Sequence, residues 1–253
     1  LATNSNGDSL WTDRTLWSHA SQSPPVPSDR EYGWYGRGGS WESVIKLCNM
    51  TGKDAWICIP HKATDEYIRN VALTFKYGTD GVNPYTSEQE DPVHKPLDED
   101  LKLYVEYSNE VWNWVPAFKQ TRWCLDQAEA IGHPLNYDGT DNLMVLMQRW
   151  KVKRSVEISL AFRDVFGDGH MMSRIRPVIG FQRGNMGVNK PILSFLSGWY
   201  GGNDPRSTFS NPKPPSWFIY GGGGTTYWHE DNGTNSSNIW ESNDFAYQTF
   251  YDN

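Results

Sequence analysis

Apolar and polar positions alternate along the chain between two regimes. From Asp54 to His61, "DAWICIPH" is a short, nearly continuous apolar run closed by Pro and His, as expected of a strand buried on both faces. In "TDEYIRNVALTFKYG", Tyr67, Ile68, Val71, Ala72 and Phe75 recur at three- and four-residue spacing, which predicts a helix. Thr64, with Asp65 and Glu66 just after it, marks its start. Lys76 to Asp98, rich in Gly, Pro, Asp and Glu, reads as a loop, and Leu101 to Ser108 as the next strand.

A helix is expected from about Pro116 to Ile131. A longer one is predicted from Asp141 to Phe166, where Leu143, Leu146, Met147, Trp150, Val156, Ile158, Leu160, Ala161 and Val165 keep helical spacing until "GDGH" stops it. "RIRPVIGFQ", Arg174 to Gln182, is a third strand. The breaker-rich region after it, with "GWYGGNDP" and "NPKPP", reads as loop, and "SWFIYGGGG", Ser216 to Gly224, as a fourth strand. Near the front, Ser40 to Gly52 is a helix with Glu42 in its first turn and Gly52 past its end.

Strand and helix thus repeat, and the strands are continuously apolar, which argues for a parallel sheet. The loops following the strands are long, polar and aromatic. That is where a (β/α)8 barrel builds its site, so a TIM-type barrel is preferred to an open doubly wound sheet. Gly221 to Gly224 is a weak dinucleotide signal, because Thr225 to Trp228 opens no evident helix; no cofactor is expected. With 253 residues the chain suits a single barrel domain.

Composition narrows the chemistry. The 23 basic and 30 acidic residues give a net charge of −7 without any basic tract, which excludes nucleic acid as a partner. No apolar run approaches the roughly 20 residues of a membrane span, and "LATNSNGDSL" has no features of a signal peptide. Aromatic residues make up 14%, with 13 Trp and 13 Tyr; such rings either fill a core or stack on sugar rings along a cleft. Cys48, Cys58 and Cys124 match no metal spacing. Sequons at Asn49, Asn232 and Asn235 favour a secreted glycoprotein, and one disulfide would suit that compartment. If His61 faces the barrel interior, Cys58 faces the helical layer with Cys48 and Cys124.

The ends of the strands carry His61, then Asn109 and Glu110, then Gln182, then Tyr227 or Trp228, all able to hydrogen-bond hydroxyls. Tyr104, Glu106, Ser108 and Glu110 share one face of an ideal strand, with the two carboxylates roughly 13 Å apart at 3.3 Å per residue, too far to act as a pair. Glu106, deeper inside, needs a partner, and Arg176 on the next strand is the candidate.

"YVEYSNEVWN", with "LCNMTGKDAWICIPHKATDEYI" before it and "RIRPVIGFQ" after it, resembles a family of secreted, glycoside-hydrolase-like proteins on the barrel of the clan-A glycosidases. The resemblance covers most of residues 40 to 228. It implies that Asn109-Glu110 ends the fourth barrel strand, with Glu110 as general acid/base and Asn109 on the substrate's 2-hydroxyl. It also places His61 and Tyr227 where that clan binds substrate and supports its nucleophile. The chemistry is a two-carboxylate, retaining hydrolysis of a polysaccharide or glycan. Trp112, Trp114 and Trp228 are candidate walls that exclude water and raise the acid's pKa, although Trp112 and Trp114 also suit plain helix packing.

On this mapping His61 ends strand three, Gln182 strand five and Gly221 to Trp228 strand six, with "LATNSN" as the tail of strand two. The first strand, and the seventh with the clan's nucleophilic Glu, have no segment, so the sequence reads as about strands 2 to 6 of a barrel. Glu230 is the one substitute for the second carboxylate within it. The rival expectation is a non-catalytic structural or adhesive extracellular glycoprotein, a scaffold or sugar-binding module in assembly with other chains, since fold alone does not establish catalysis.

Overall fold

The computed structural model describes residues 9–22, 38–115, 118–182 and 185–225. Its first two helices open by the same device. In α1 (Trp41–Thr51) and α2 (Asp65–Tyr77), the side chains of Ser40 and Thr64 accept hydrogen bonds from the backbone N–H of Ser43 and Tyr67, satisfying donors that a first turn leaves orphaned. Gly52 ends α1 at φ 62°, a left-handed position that suits glycine.

β1 (Ala55–Ile59), β2 (Leu103–Tyr107), β3 (Ile175–Gln182) and β4 (Gly221–Thr225) form one sheet of four strands in the order β1-β2-β3-β4, and every pairing is parallel. α2 joins β1 to β2. α3 (Lys119–Ile131) and α4 (Leu143–Phe166) join β2 to β3, and α5 (Met186–Phe195), a π-helical turn at Leu196–Tyr200 and the one-turn α6 (Pro215–Phe218) join β3 to β4. This is a mixed α/β fold built of strand–helix crossovers.

The core lies on one face of the sheet. Ala55, Ile57, Ile59, Leu103, Val105, Tyr107 and Ile175 pack against α2 and α4 residues that include Ile68, Val71, Phe75 and Phe162, while Ile179 joins a second cluster with Phe195, Trp199 and Phe218. Strand alternation turns Trp56, Cys58, Tyr104, Glu106 and Arg176 to the other face, where Trp56 is 53% exposed. α4, 24 residues long, starts at Asn142, whose side chain accepts from Met144 and Val145 N–H. It buries polar side chains as well as apolar ones, among them Lys151 and Arg154. No helix among the described residues is long and apolar enough to cross a membrane.

Four expectations need correction. The loop expected after β3 contains α5, whose cap Asn185 accepts from Val188 N–H. Burial of Ile192 and Phe195 outweighs Pro191 within it. The strand expected from Ser216 begins only at Gly221, because Pro215 at the first helical position starts α6 instead. The expected disulfide is absent: Cys48 and Cys124 are buried, Cys58 is exposed, and all three are free. β1 stops at Ile59 and Ala63 N–H bonds Pro60 O in a turn, so alternation cannot be carried across to His61, and Cys58 lies on the bare face.

Candidate functional site

The exit from β2 is where local backbone departs most from a strand. Ser108 and Glu110 both adopt positive φ, 58° and 46°, which is uncommon for residues other than glycine and costs of order 1 kcal/mol or more each. Contacts hold the turn. Ser108 N–H donates to Ile59 O at 2.9 Å, Asn113 N–H to Glu110 O at 2.8 Å, and Gln120 Nε2 to Asn109 O at 2.6 Å. Asn113 Nδ2 donates to Glu110 Oε2 at 2.8 Å. Glu110 is half-buried and Asn109 exposed.

The strand ends at Tyr107, so strand alternation does not carry on to Glu110. The Glu110 charge is the last of the influences on the Glu106 pKa, after burial, the Trp56 hydrogen bond and the Lys151 charge.

Glu106 sits on the bare face of the sheet within protein surroundings. Burial raises its pKa first of all; the Trp56 hydrogen bond and the Lys151 charge oppose that rise, and Glu110 adds to it. Trp56 Nε1 donates to Glu106 Oε2 at 3.1 Å. Cys58, paired with Glu106 across the β1–β2 ladder, has its thiol pushed up to about 12, by burial and then by the Glu106 charge. On the other side, Gly180 leaves the space that Glu106 uses: a Cβ there would stand 2.6 Å from Glu106 Oε1 and 3.1 Å from the Trp112 ring.

Lys151 closes the group from the helical side. The β2–β3 ladder ends at Glu106–Val178, and beyond it Gly180 O accepts from Lys151 Nζ at 2.7 Å. The same ammonium lies 4.8 Å from the Trp112 ring centroid. Complete burial lowers the Lys151 pKa to about 7 despite the Glu106 charge.

Arg176 is not the partner of Glu106. The register sets it opposite Tyr104, so its guanidinium bonds the Tyr104 hydroxyl and lies 4.6 Å from the Tyr220 ring. A shift of one pair along a ladder replaces every cross-strand neighbour. Trp112 is buried, with Lys151 of α4 over its ring and Gly180 beside it, whereas Trp114 is half exposed.

The other expected residues fall apart from Glu106 and Glu110. His61 lies past β1 with its carbonyl accepting from Tyr107 Oη at 2.9 Å and its ring edge-on to Trp123. Gln182 ends β3, its side chain accepting from Asn185 Nδ2 at 2.7 Å and its backbone bonded to Asn189. Asn49 uses its side-chain amide to bond Pro96 O and Asp98 N–H. Tyr227, Trp228, Glu230, Asn232, Asn235 and the segment "LATNSN" lie outside the described residues. Among the described residues no cluster of His, Cys, Asp and Glu could hold a metal ion.

Sequence reasoning missed Trp56, Gly180 and Lys151. Only Lys151 left a trace, as a cation four residues after core-facing Met147. No family model, curated protein or solved structure matches the chain.

Proposed function

We propose that the chain is an arc of a (β/α)8 barrel of glycosidase type, with Glu110 as the general acid/base of a retaining glycoside hydrolysis. The single observation that carries this is the positive-φ turn at Ser108 and Glu110, at the C-terminal end of a parallel strand. It takes Glu110 out of the strand's alternation, with Asn113 Nδ2 donating to its carboxylate. Backbone strain in non-glycine residues concentrates at functional sites. The barrel reading is supported by the sequential strand order and by core clusters that lie mainly on one face. A doubly wound sheet has helices on both faces and reverses its order at a switch point.

A glycosidic oxygen leaves poorly until protonated, so Glu110 delivers a proton to it and later takes one from the water that completes hydrolysis. Asn109, exposed beside it, is the donor for a substrate hydroxyl. Glu106 is a poor nucleophile: burial raises its pKa and works against the ionised form that attack requires, and it lies within β2 rather than at the strand's end. Its role is positioning, through the Trp56 hydrogen bond and the packing around Gly180. The nucleophile is then a third carboxylate, Glu230 or one from a later strand as the resemblance implies. Secretion, with glycans on the sequons, rests on the same resemblance.

Glu110→Gln keeps the shape and removes the transferable proton. Release of reducing ends from a polysaccharide panel is expected to fall by about 10²-fold or more, with an unchanged circular dichroism spectrum. Unchanged turnover, or no turnover by the native protein, leaves the scaffold or sugar-binding module. That reading is favoured by the stacked Trp56–Tyr104 pair on the bare face, at 5.4 Å between centroids, which can hold a sugar without chemistry.

A further inference from the structure

A cavity of about 250 Å³ lies beside the turn after β1, walled by the start of α2 and by side chains of α3 and α4. It is on the helical side of the sheet. Trp150, one of its walls, donates from Nε1 to Tyr107 Oη at 3.2 Å, and Tyr107 is buried in the core on that face. Glu106 and its neighbours occupy the opposite face.

The wall has the composition of a site for a small polar molecule. Trp123 and Trp150 supply aromatic surface, and His61, Asp65 and Gln127 supply polar groups. One donor awaits an acceptor. The half-buried Gln127 amide makes no hydrogen bond among the described residues.

Charge argues for a neutral occupant. Arg154 is already matched, by Asp65 Oδ1 at 3.0 Å and Glu157 Oε2 at 2.5 Å, and it also donates to Ala63 O. The Lys62 ammonium is placed 4.9 Å from the Trp123 ring centroid. An anion would have to draw these cations from partners they hold, whereas hydroxyls both donate and accept and need no net charge. The volume is below the roughly 300–1,000 Å³ of pockets for drug-sized ligands, which limits the occupant to one ring rather than a chain.

We propose that this cavity binds a single neutral sugar ring, packed on Trp123 or Trp150 and hydrogen-bonded by Gln127, at a site separate from Glu106 and Glu110. It does not depend on the hydrolytic reading.

The test is ligand-observed NMR titration of the whole protein with glucose, galactose, mannose and xylose, and with glucuronate and inorganic phosphate as anionic controls. At least one neutral sugar is expected to bind with Kd on the order of 1 mM. Gln127→Ala and Trp123→Phe should each weaken it about tenfold, and Glu110→Gln should leave it unchanged. Gln127 is half-buried on a helix, so its variant keeps the test open even where Trp123→Phe disturbs folding. The proposal is overturned by any of four results: no saturable neutral sugar, tighter binding of glucuronate or phosphate than of every neutral sugar, an unchanged Kd in Gln127→Ala, or loss of binding in Glu110→Gln.

Discussion

The two faces of the sheet do different work. On the helical face, Ile57, Ile59, Leu103, Val105 and Ile175 are all at most 3% exposed, and each such side chain contributes roughly 1.5–3 kcal/mol by leaving water. On the other face the same strands carry Trp56, Cys58, Tyr104, Glu106 and Arg176, held to one another by hydrogen bonds and ring contacts. Parallel sheets are ordinarily covered on both sides. Here the exposed face carries an ionisable group, Glu106, whose pKa burial raises. The barrel proposed above would cover this face with its own side chains.

The contrast can be broken by substitution. Leu103→Ala, on the helical face, is expected to cost about 2–5 kcal/mol, read as a fall in Tm of about 2–4 °C per kcal/mol. Trp56→Ala, on the bare face, loses a stacked ring and one hydrogen bond and is expected to cost about 1 kcal/mol. Equal losses in thermal denaturation would mean that the bare face is in fact covered.

Gly180→Ala tests the packing around Glu106. The added methyl meets the carboxylate oxygen and the Trp112 ring, so a loss of about 1–3 kcal/mol is expected, with a shift in the Trp112 indole NMR signal. An unperturbed indole would place Glu106 elsewhere.

Smaller effects lie in the pH dependence. Lys151 titrates at about 7 in the folded protein against an ordinary 10.5. Between these values the unfolded chain binds more protons, so the wild type gains stability as pH rises through that window. Lys151→Met removes the titration. Its Tm advantage over wild type should be largest below pH about 7 and shrink toward pH about 10.5.

Glu106 has the opposite sign. Its folded pKa is raised, so wild-type stability falls as pH climbs from the ordinary carboxyl value to the raised one. Glu106→Gln, which still accepts from Trp56, should equal wild type in strong acid and exceed it above that window, by thermal melts across pH. A constant difference at all pH values would remove Glu106 from the group. Of the sequons, Asn49 should be the least glycosylated, because its amide bonds Pro96 and Asp98; peptide mass spectrometry of native material reads this.

Elements whose signals are local were legible in the residues. Ser40 and Gly52 bracket α1, Thr64 opens α2, "GDGH" stops α4, and the apolar runs around Ile57, Val105 and Val178 are strands. Helical spacing and capping involve residues within four positions of each other, so the sequence states them directly. α5 escaped notice because Pro191 and Gly187 argue locally against a helix that burial of Ile192 and Phe195 sustains.

The sequence by itself determined a run of strand–helix units and a Glu at a strand's end. Only the tertiary structure decided which groups meet. Arg176 faces Tyr104 rather than Glu106 because parallel register is set between strands about 70 residues apart, not along either one. Glu110 leaves the line of β2 because two positive φ angles, held by Ile59, Asn113 and Gln120, bend a chain that alternation would have kept straight. Lys151 reaches Gly180 because α4 docks where the β2–β3 ladder ends. Each of these depends on contacts whose energy exists only once distant segments are packed together, which periodicity along one segment cannot encode.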